Sequence, residues 1–553
     1  MTTSIAARGR RTRHPAIVFS LLSALAASVT ALPAPSPNVV RSSGGAVTAQ
    51  SATPASVDPA VLAALDSAPT AGVIVRTSSA AAAAGAARAV AAAGGEVGAL
   101  LPIVDGFSAT IDAEVLASLR ARPGVLEIAA DGSVTLDHTY EPGTYVGDSE
   151  FVEHVRADVL HRAGVDGSGV GIAVIDTGVT EVADLAGRVV GGLDLSGEGD
   201  GVDRMGHGTF IAGVAAGNGA ASAGQHAGVA PGAHVVPVKI AGENGAADVS
   251  HVLAAIQYVV SFKDTYGIGV LNLSLGTDST QPNALSPLNH AVQRAWDAGI
   301  VVVVSAGNHG AEGPGRIPKP ADDPLVITVG ATDRNGTPGR GDDTVAPYSS
   351  RGPSIADGVV KPDLVAPGSH LVGLRAPGSG VDRYATSAHV GSAYVRGSGT
   401  SFAAAVTTGA VALLRQAHPD WTPDQIKGAL TTTAARGPVR DRNVDGHGVV
   451  DVAAAAALTA PPVANQGVQR SSGLGSLAAD RGSLVYRLQV SPLLPAVRLD
   501  NTTELTAQNQ LFDPLSYVSS DWSAGNWYAG NWYAGNWYAG NWYAGNWYAG
   551  NWY

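Results

Sequence analysis

Cysteine is absent from all 553 residues of this chain. This absence excludes a disulfide-stabilised scaffold and a thiol nucleophile. A surplus of positive charge is also missing, because the formal net charge is −12. Nucleic acid is therefore not expected as a partner, since its binding normally requires a basic surface. Apolar residues make up 45% of the chain, enough for a large buried core, and the length predicts more than one domain.

The N-terminus has the pattern of an export signal. Four arginines between residues 8 and 13 precede an apolar run, 16–29, which ends at Val29-Thr30-Ala31. This order predicts a secretory signal peptide over 1–31 and a secreted, extracellular or cell-surface protein. A single membrane anchor is the alternative, but the run is short for a hydrocarbon layer of about 30 Å. Residues 32–68, rich in Ala, Ser and Pro, are predicted to be a linker.

A compact alternation of strand and helix patterns follows over 69–140. Its order is β-α-β-β-α-β, which predicts a small α+β, ferredoxin-like domain. On its own such a pattern is also consistent with an independent binding domain. The predicted strands are 72–76, 96–103, 106–111 and 125–136, and the predicted helices are 80–93 and 113–121.

Over 150–460 the chain predicts a larger α/β domain. Runs of Val, Ile and Leu without polar alternation are typical of parallel strands covered on both faces. Helical segments lie between them, which predicts a doubly wound, mainly parallel sheet with a site at the strand carboxyl ends. The predicted strands are 169–175, 234–240, 269–275, 300–306 and 325–329, and the predicted helices are 210–217, 249–260 and 288–298.

Polar residues lie where such a sheet would place a site. Asp176 and Asn308 follow apolar strands, His207 precedes a helix of small residues, and Ser401 follows the glycine-rich turn Gly397–Thr400 at the start of another helix. Each has a simpler explanation alone, such as a helix cap for Ser401. Together they form the chain order Asp, His, Ser of a known nucleophilic triad.

Each residue type suits acyl transfer for a physical reason. A serine hydroxyl needs a base to take its proton during attack, and His207 is a suitable base. A carboxylate such as Asp176 fixes the imidazole tautomer and stabilises the imidazolium that follows. The Asn308 amide and the Ser401 backbone N–H would then donate to the oxyanion.

These segments resemble the subtilisin-like serine peptidases, the subtilase family. The three triad signatures are Ile175-Asp176-Thr177-Gly178, Gly206-His207-Gly208-Thr209 and Gly399-Thr400-Ser401-Phe402-Ala403. The resemblance runs from about 158 to 457. Phe402 and Ala405 depart from it, because the family usually has Met and Pro at these positions. Phe402 keeps an apolar side chain behind the serine, while the missing Pro puts the placement of the helix in doubt but not the chemistry.

The resemblance implies a subtilisin-like fold and a serine endopeptidase that cuts polypeptides through an acyl-enzyme. It implies that substrate lies along Ser274, Leu275 and Gly276, and beside the oxyanion segment Ser305-Ala306-Gly307. It also implies that 69–140 is an inhibitory propeptide of a self-processing zymogen, cut between Leu136 and Gly147. The alternative is a catalytically silent or structural surface protein that acts through its C-terminal repeats.

Signals for metal or cofactor binding are weak. The reaction requires no cofactor, and structural calcium is possible only because the family often binds it. Asp441–Gly446 resembles the start of a calcium loop, but Val452 stands where the loop's last ligand should be, so a turn is predicted. Asp194, Glu198, Asp200 and Asp203 are predicted to form a solvated loop, and no metal ligand is predicted.

The C-terminal part is predicted to lie outside the large domain. Pro461-Pro462 predicts the domain end, with a linker over 461–523. The sequence Ala-Gly-Asn-Trp-Tyr then repeats six times over 524–553. Such an aromatic array predicts an adhesive surface for cell wall or polysaccharide, and a low-complexity tail without a fixed partner explains it equally well.

Overall fold

A computed structural model of the chain describes residues 54–131, 133–136, 139–140, 150–245, 247–337, 339–482, 486–488 and 497–499. All of these belong to one unit of the structure, Thr53–Tyr553. The predicted signal peptide and the aromatic repeats lie outside the described residues, as does the segment 141–149. We call residues 54–131 the small domain, residues 150–460 the large domain and residues 461–482 the C-terminal extension.

The small domain is a five-stranded sheet with helices on one face. Neighbouring strands are antiparallel except for the first pair, which is parallel. In sheet order the strands are Ser56–Val57, Val125–Ala130, Ala71–Thr77, Gly106–Ile111 and Glu96–Leu101. The helices are Pro59–Ser67, Ala80–Ala92 and Ala113–Arg120, and Pro102–Val104 forms a 3-10 turn.

The two faces of this sheet pack against different partners. Successive side chains of a strand point to opposite faces, and Val73 and Val75 lie in the small domain's own core. Ile74, between them, is fully buried in the core of the large domain instead. Ala129 follows the same rule between Ile128 and Ala130. The outer face of the small sheet is therefore a docking face.

Two sequence predictions for this region need correction. The predicted linker 32–68 contains a strand and a nine-residue helix, Pro59–Ser67, which Asp58 caps by accepting from the Ala60 N–H at 2.9 Å. An Asp followed by Pro is a helix-start signal that the composition of the stretch concealed. The predicted strand 125–136 is also two strands, because the chain leaves the sheet after Ala130.

The large domain is built on a mainly parallel sheet. Its strands are short and almost completely buried, as expected for a sheet covered on both faces. In sheet order they are Thr344–Val345 (antiparallel), Ile327–Asp333, Val301–Ser305, Ile268–Leu273, Gly171–Asp176, His234–Lys239 and Leu193–Asp194, and Leu364–Pro367 also pairs with Ile327–Asp333.

Helices flank this sheet on both sides. The longest, Thr400–Ala417, packs against the strands and the helix His207–Ala216. The other helices are Glu150–His154, Ala157–Arg162, Val249–Ser261, Pro287–Asp297, Gly380–Tyr384, Pro423–Thr433, Val452–Ala456 and Leu477–Arg481, with 3-10 turns at Ala183–Leu185, Ala220–Ser222, Gly310–Glu312 and Thr386–Ala388. A second sheet contains Leu371–Leu374, His389–Val390 and Tyr394–Ser398, and a separate hairpin pairs Tyr486–Leu488 with Val497–Leu499.

The chain between the domains enters the second and a third, smaller sheet. Ser133–Leu136 lies between Ala247–Asp248 and Leu275–Gly276 and is antiparallel to both. Thr139–Tyr140 then pairs with the end of Tyr394–Ser398, where Thr139 lies opposite Ser398. We call Ser133–Leu136 the cleft strand.

The predicted linker 461–523 is wrong for its first part. Residues 461–482 lie on the large domain, where Ser472 and Gly475 donate backbone hydrogen bonds to the carbonyls of Ala284 and Leu285. These contacts are remote in sequence, so no local pattern predicts them. Within the described part of the chain, we find no helix with the length and apolar character needed to cross a membrane.

Candidate active site

Asp176 and His207 meet at the carboxyl end of the large sheet. Asp176 is the last residue of the strand Gly171–Asp176, and His207 is the first of its helix. His207 Nδ1 lies 2.8 and 2.9 Å from the two carboxylate oxygens of Asp176. Neither side chain is exposed to solvent. A proton on Nδ1 is thus held by the carboxylate, which leaves Nε2 as the basic nitrogen of the neutral ring.

Gly208 explains how closely this strand and helix approach each other. A β-carbon at this position would lie 2.1 Å from the carbonyl oxygen of Gly178 and 3.2 Å from the Asp176 side chain. A larger residue would therefore force the helix start away from the strand end. The close approach of His207 to Asp176 therefore requires a glycine directly after His207.

The loop before His207 is held by Asp203, which the sequence analysis placed in a solvated loop. This prediction is wrong, because Asp203 is only 1% exposed. Its carboxylate accepts hydrogen bonds from Thr177 Oγ1, Gly206 N and both donors of Thr209, at 2.6–2.8 Å. Burial raises the pKa of Asp203, and the hydrogen bonds from Gly206 and Thr209 oppose that rise.

Asp203 thus joins the ends of the two elements that carry Asp176 and His207. Thr177 follows Asp176 directly and donates to both carboxylates. Asp203 in turn accepts hydrogen bonds from the backbone N–H groups of Gly206 and Thr209, on either side of His207 at the start of its helix. A single aspartate in a glycine-rich acidic loop gives no local signal of burial, so sequence analysis could not have identified it.

Ser401 lies in the first turn of the helix Thr400–Ala417 and is fully buried. The next residue, Phe402, has its ring centroid 5.8 Å from that of His207 and 4.0 Å from that of Phe210. The ring packing therefore brings the start of this helix beside the histidine. The helix begins at Thr400 with Ala405 in its second turn, so the doubt about helix placement is removed.

Asn308 is oriented by Thr400, a residue that sequence analysis did not single out. Asn308 Oδ1 accepts from Thr400 N at 3.0 Å and from Thr400 Oγ1 at 2.9 Å. A backbone N–H can only donate, so these contacts assign the oxygen and nitrogen of the carboxamide. The Asn308 amide nitrogen consequently faces away from Thr400, as a donor to a developing oxyanion would.

The residues predicted to bind substrate lie in two places at the carboxyl end of the large sheet. Leu275 and Gly276 pair with Leu136 and Thr135 of the cleft strand, and Ser274 Oγ lies 3.4 Å from the Ser401 carbonyl oxygen. Ser305, Ala306 and Gly307 are also buried, at the end of the neighbouring strand. The strand on the other side of the cleft strand, Ala247–Asp248, was not predicted, because these two residues form a strand only through pairing with the cleft strand.

The acidic residues considered for metal binding take other roles. Asp194 accepts from Ser196, Asp200 and Gly201 backbone N–H groups, and Asp200 pairs with Arg204. Asp445 accepts from two backbone N–H groups in the turn after 438. Among the residues that the structure describes, no group of three or more His, Cys, Asp or Glu side chains could hold a metal ion.

Comparison with known proteins identifies the family of this chain. The profile of the subtilase family matches residues 167–475. Serine protease AprX of Bacillus subtilis is 38% identical over 304 residues, which cover 54% of this chain and 68% of AprX. Subtilisin Savinase of Lederbergia lenta is 34% identical over 306 residues, which cover 55% of this chain and 97% of the relative.

A solved structure shares the fold. Fervidolysin from Fervidobacterium pennivorans, described as a keratinolytic enzyme related to subtilisin, aligns with a TM-score of 0.55 and 24% identity. The alignment covers 78% of this chain and 67% of fervidolysin. The family match includes Asp176, His207, Asn308 and Ser401 and extends to 475, past the predicted domain end at 460. The chain therefore belongs to the subtilase family and is a serine endopeptidase, a hydrolase of peptide bonds.

Proposed function

We propose that this endopeptidase acts through a triad of Asp176, His207 and Ser401, with Asn308 in the oxyanion site. The observation that carries the proposal is the contact of His207 Nδ1 with both oxygens of the buried Asp176 carboxylate. His207 then removes the proton of Ser401 as its oxygen attacks the substrate carbonyl, and returns it to the leaving amine. The Asn308 amide and the Ser401 backbone N–H stabilise the oxyanion.

A serine-directed fluorophosphonate probe tests this assignment. The mature wild-type enzyme should be labelled and should hydrolyse an unfolded protein substrate, while Ser401→Ala should do neither. Ser398→Ala is a matched control, because it removes a buried hydroxyl from the strand just before the same turn. Labelling that persists in Ser401→Ala would refute the assignment, and it would revive the alternative of a catalytically silent surface protein.

We also propose that the chain is exported as a zymogen, with the small domain and the cleft strand as an intramolecular inhibitor. The cleft strand pairs with the strands on both of its sides, Ala247–Asp248 and Leu275–Gly276. An extended substrate would bind in the same way, by adding a strand to an exposed backbone edge. The complete burial of His207 and Ser401 is consistent with a covered site. The predicted signal peptide, outside the described residues, supports export.

The strand register narrows the position of the processing cut. Leu136 lies opposite Leu275 on one side of the cleft, and Thr139 lies opposite Ser398, three residues before Ser401, on the other. We infer from these two pairings that the cut falls between Leu136 and Thr139. We expect the mature N-terminus to be residue 137, 138 or 139, and N-terminal sequencing of the processed wild type checks this. Ser401→Ala should stay uncut, and a cut in that variant in a protease-free host would show that another protease performs the step.

For the residue before the scissile bond, we propose a preference for large apolar or aromatic side chains. Gly276 and Gly307 both face Pro318, which lies 2.6 and 2.9 Å from where their β-carbons would be. Nearby Lys319 is fully buried and donates hydrogen bonds to Asn283 and Asp322, so its charge is already paired within the protein. A strict requirement for Arg or Lys in a peptide library would contradict this preference.

The aromatic repeats 524–553, outside the described residues, are proposed to retain the enzyme on cell wall or polysaccharide. Stacking of Trp and Tyr on sugar rings is weak for one repeat but gains strength from six copies. Deletion of 524–553 should leave peptide hydrolysis unchanged and reduce retention on polysaccharide. Equal retention of the truncated enzyme would show that the tail has another role.

A further inference from the structure

A short helix outside the family match touches both domains. Leu477–Arg481 begins two residues after the match ends at 475. It packs against the helix Pro287–Asp297 of the large domain and against the strand Val125–Ala130 of the small domain. We call residues 471–482 the C-terminal segment.

The C-terminal segment is anchored to the large domain next to the cleft. The Asp480 carboxylate is fully buried and accepts from Ser286 Oγ, Leu288 N and Gln281 Nε2 at 2.6–2.8 Å. Its backbone carbonyl accepts from Thr277 Oγ1 at 2.6 Å. Thr277 follows Gly276, which pairs with the cleft strand. The segment is therefore fixed to the rear of the substrate-binding edge.

The next residue reaches the small domain. Arg481 Nη2 lies 3.5 Å from Asp58 Oδ2, and the two side chains are only 4% and 3% exposed. Asp58 also caps the helix Pro59–Ser67 and accepts from the Ala130 N–H at 3.2 Å. The ion pair therefore joins the C-terminal segment to the point where the first helix and the strand Val125–Ala130 of the small domain meet.

Loss of one partner from a buried ion pair between two domains weakens their docking. Each charge loses its hydration on docking, so removing one partner leaves the other buried without compensation. Truncating one partner of such a pair across an interface typically weakens binding by tenfold or much more. Once the domains separate, both charges return to water and the penalty disappears. The pair therefore matters for docking and not for the stability of the separated enzyme.

We propose that the C-terminal segment is a further docking surface for the small domain, separate from the cleft and from the sheet face that buries Ile74, and that the Arg481–Asp58 pair controls how tightly the small domain is held. The docking contact itself does not depend on the small domain being an inhibitor. Only the regulatory consequence of the contact rests on that proposed function. If that role holds, release of the inhibitor depends on Arg481, which lies beyond the residues that the family profile matches.

Hydrogen exchange of the full-length Ser401→Ala chain tests the docking directly. In that background, Arg481→Met should accelerate exchange in Pro59–Ser67 and Val125–Ala130 by about tenfold or more. The substituted residue lies outside the small domain, so the effect can reach these elements only through the contact. Asp58→Asn keeps a capping side chain and should give a similar acceleration, and the double variant should add little to either single variant.

Arg470→Met is the matched control. Arg470 is also on the C-terminal extension, but it pairs with Asp297 of the large domain and both side chains are 46% exposed. Exchange in the small domain should be unchanged in this variant. Unchanged exchange in Arg481→Met, or an equal effect of Arg470→Met, would overturn the proposal.

The active chain separates docking from inhibition. With Ser401 intact, Arg481→Met should shorten the delay before peptide hydrolysis begins by several-fold. Faster exchange together with an unchanged delay would support the docking surface and refute the inhibitory role of the small domain. Loss of the delay in Arg470→Met as well would refute a specific role of the Arg481–Asp58 pair.

Discussion

The two main sheets of this molecule bury their faces in different ways. Every residue of the large-domain strand Val301–Ser305 is buried, between helices of the same domain. In the small domain, Val73 and Val75 face the domain's own helices while Ile74 faces the large domain. The sheet of the large domain is thus covered by its own helices, while one face of the small domain's sheet is covered only by docking. This difference fits the proposed role of the small domain as a removable inhibitor.

The ends of the large sheet also differ from each other. Its carboxyl end presents Asp176, with His207 and Asp203 packed around it. Near its other end, Lys361 and Lys427 flank the Asp363 carboxylate, and Lys427 donates to the Val326 carbonyl oxygen. Buried ions therefore fix one end of the sheet, while the polar groups at the other end are arranged for chemistry.

The largest effect is expected from a substitution at the carboxyl end. Asp203→Asn places an amide where Thr209 N–H and Gly206 N–H now donate, so the start of the His207 helix should shift. A displacement of about 1 Å in a catalytic site can cost about 10²-fold. We expect kcat to fall by about 10–100-fold with KM nearly unchanged and the pH profile of kcat altered.

Asp200→Asn provides the control for this loop. Asp200 lies three residues before Asp203, but it pairs with Arg204 at the surface. Its substitution should change kcat by less than about twofold, as expected for an exposed ion pair. If Asp203→Asn kept more than half of wild-type kcat, Asp203 would have no positioning role.

The second prediction tests whether the small domain depends on its docking face. In the Ser401→Ala chain, Ile74→Ala should accelerate hydrogen exchange in Gly106–Ile111 by about tenfold or more, because it leaves a cavity at the domain interface. Val75→Ala should have a similar effect by opening the domain's own core. Leu126→Ala, on the same sheet but with a residue 40% exposed, should have almost none. Equal exchange in Ile74→Ala and Leu126→Ala would mean that the small domain is stable by itself.

The sequence predicted the elements whose signal is local. Buried parallel strands are continuous apolar runs, so the strands that end near Asp176 and Ser305 were located within a few residues. The small-residue run after His207 and the glycine-rich turn before Ser401 placed those residues at helix starts, where the structure has them. The strand ends just before Ser274 and Asp131 were missed. At both points the chain changes its pairing partner while its composition does not change.

The missed features depend on contacts that are remote in sequence. Asp203 is buried because Thr177 and Thr209 surround it, while Asp194 and Glu198 in the same loop are half-buried and Asp200 is exposed. Thr400 acquires its role only through Asn308, 92 residues away. Arg481 meets Asp58 across 423 residues. No spacing rule or propensity could have paired these residues.

The smallest expected effect concerns the end of the large sheet where Lys361 and Lys427 flank Asp363. Burial lowers the pKa of Lys427 from 10.5 to about 8, although the nearby Asp363 charge opposes the change. Below pH 8 both the folded and the unfolded states hold the proton, so the folded state bears the full cost of the buried charge. Between about pH 8 and 10.5 the folded state loses the proton while the unfolded state keeps it, so this lysine's contribution to the free energy of unfolding rises with pH.

Thermal unfolding in the Ser401→Ala background, which prevents self-digestion, measures this contribution. Lys427→Met should be less stable than its parent, because three backbone carbonyls lose their donor. The Tm difference between parent and variant should be about 2–4 °C larger at pH 10 than at pH 7. Lys263→Met removes a partly exposed lysine, whose partner Asp264 is 94% exposed, and its Tm difference should not change with pH. If the Tm difference between parent and Lys427→Met instead shrinks as the pH rises, Lys427 stays protonated in the folded protein. The ionised Lys427–Asp363 pair, and not burial, would then set the pKa of Lys427.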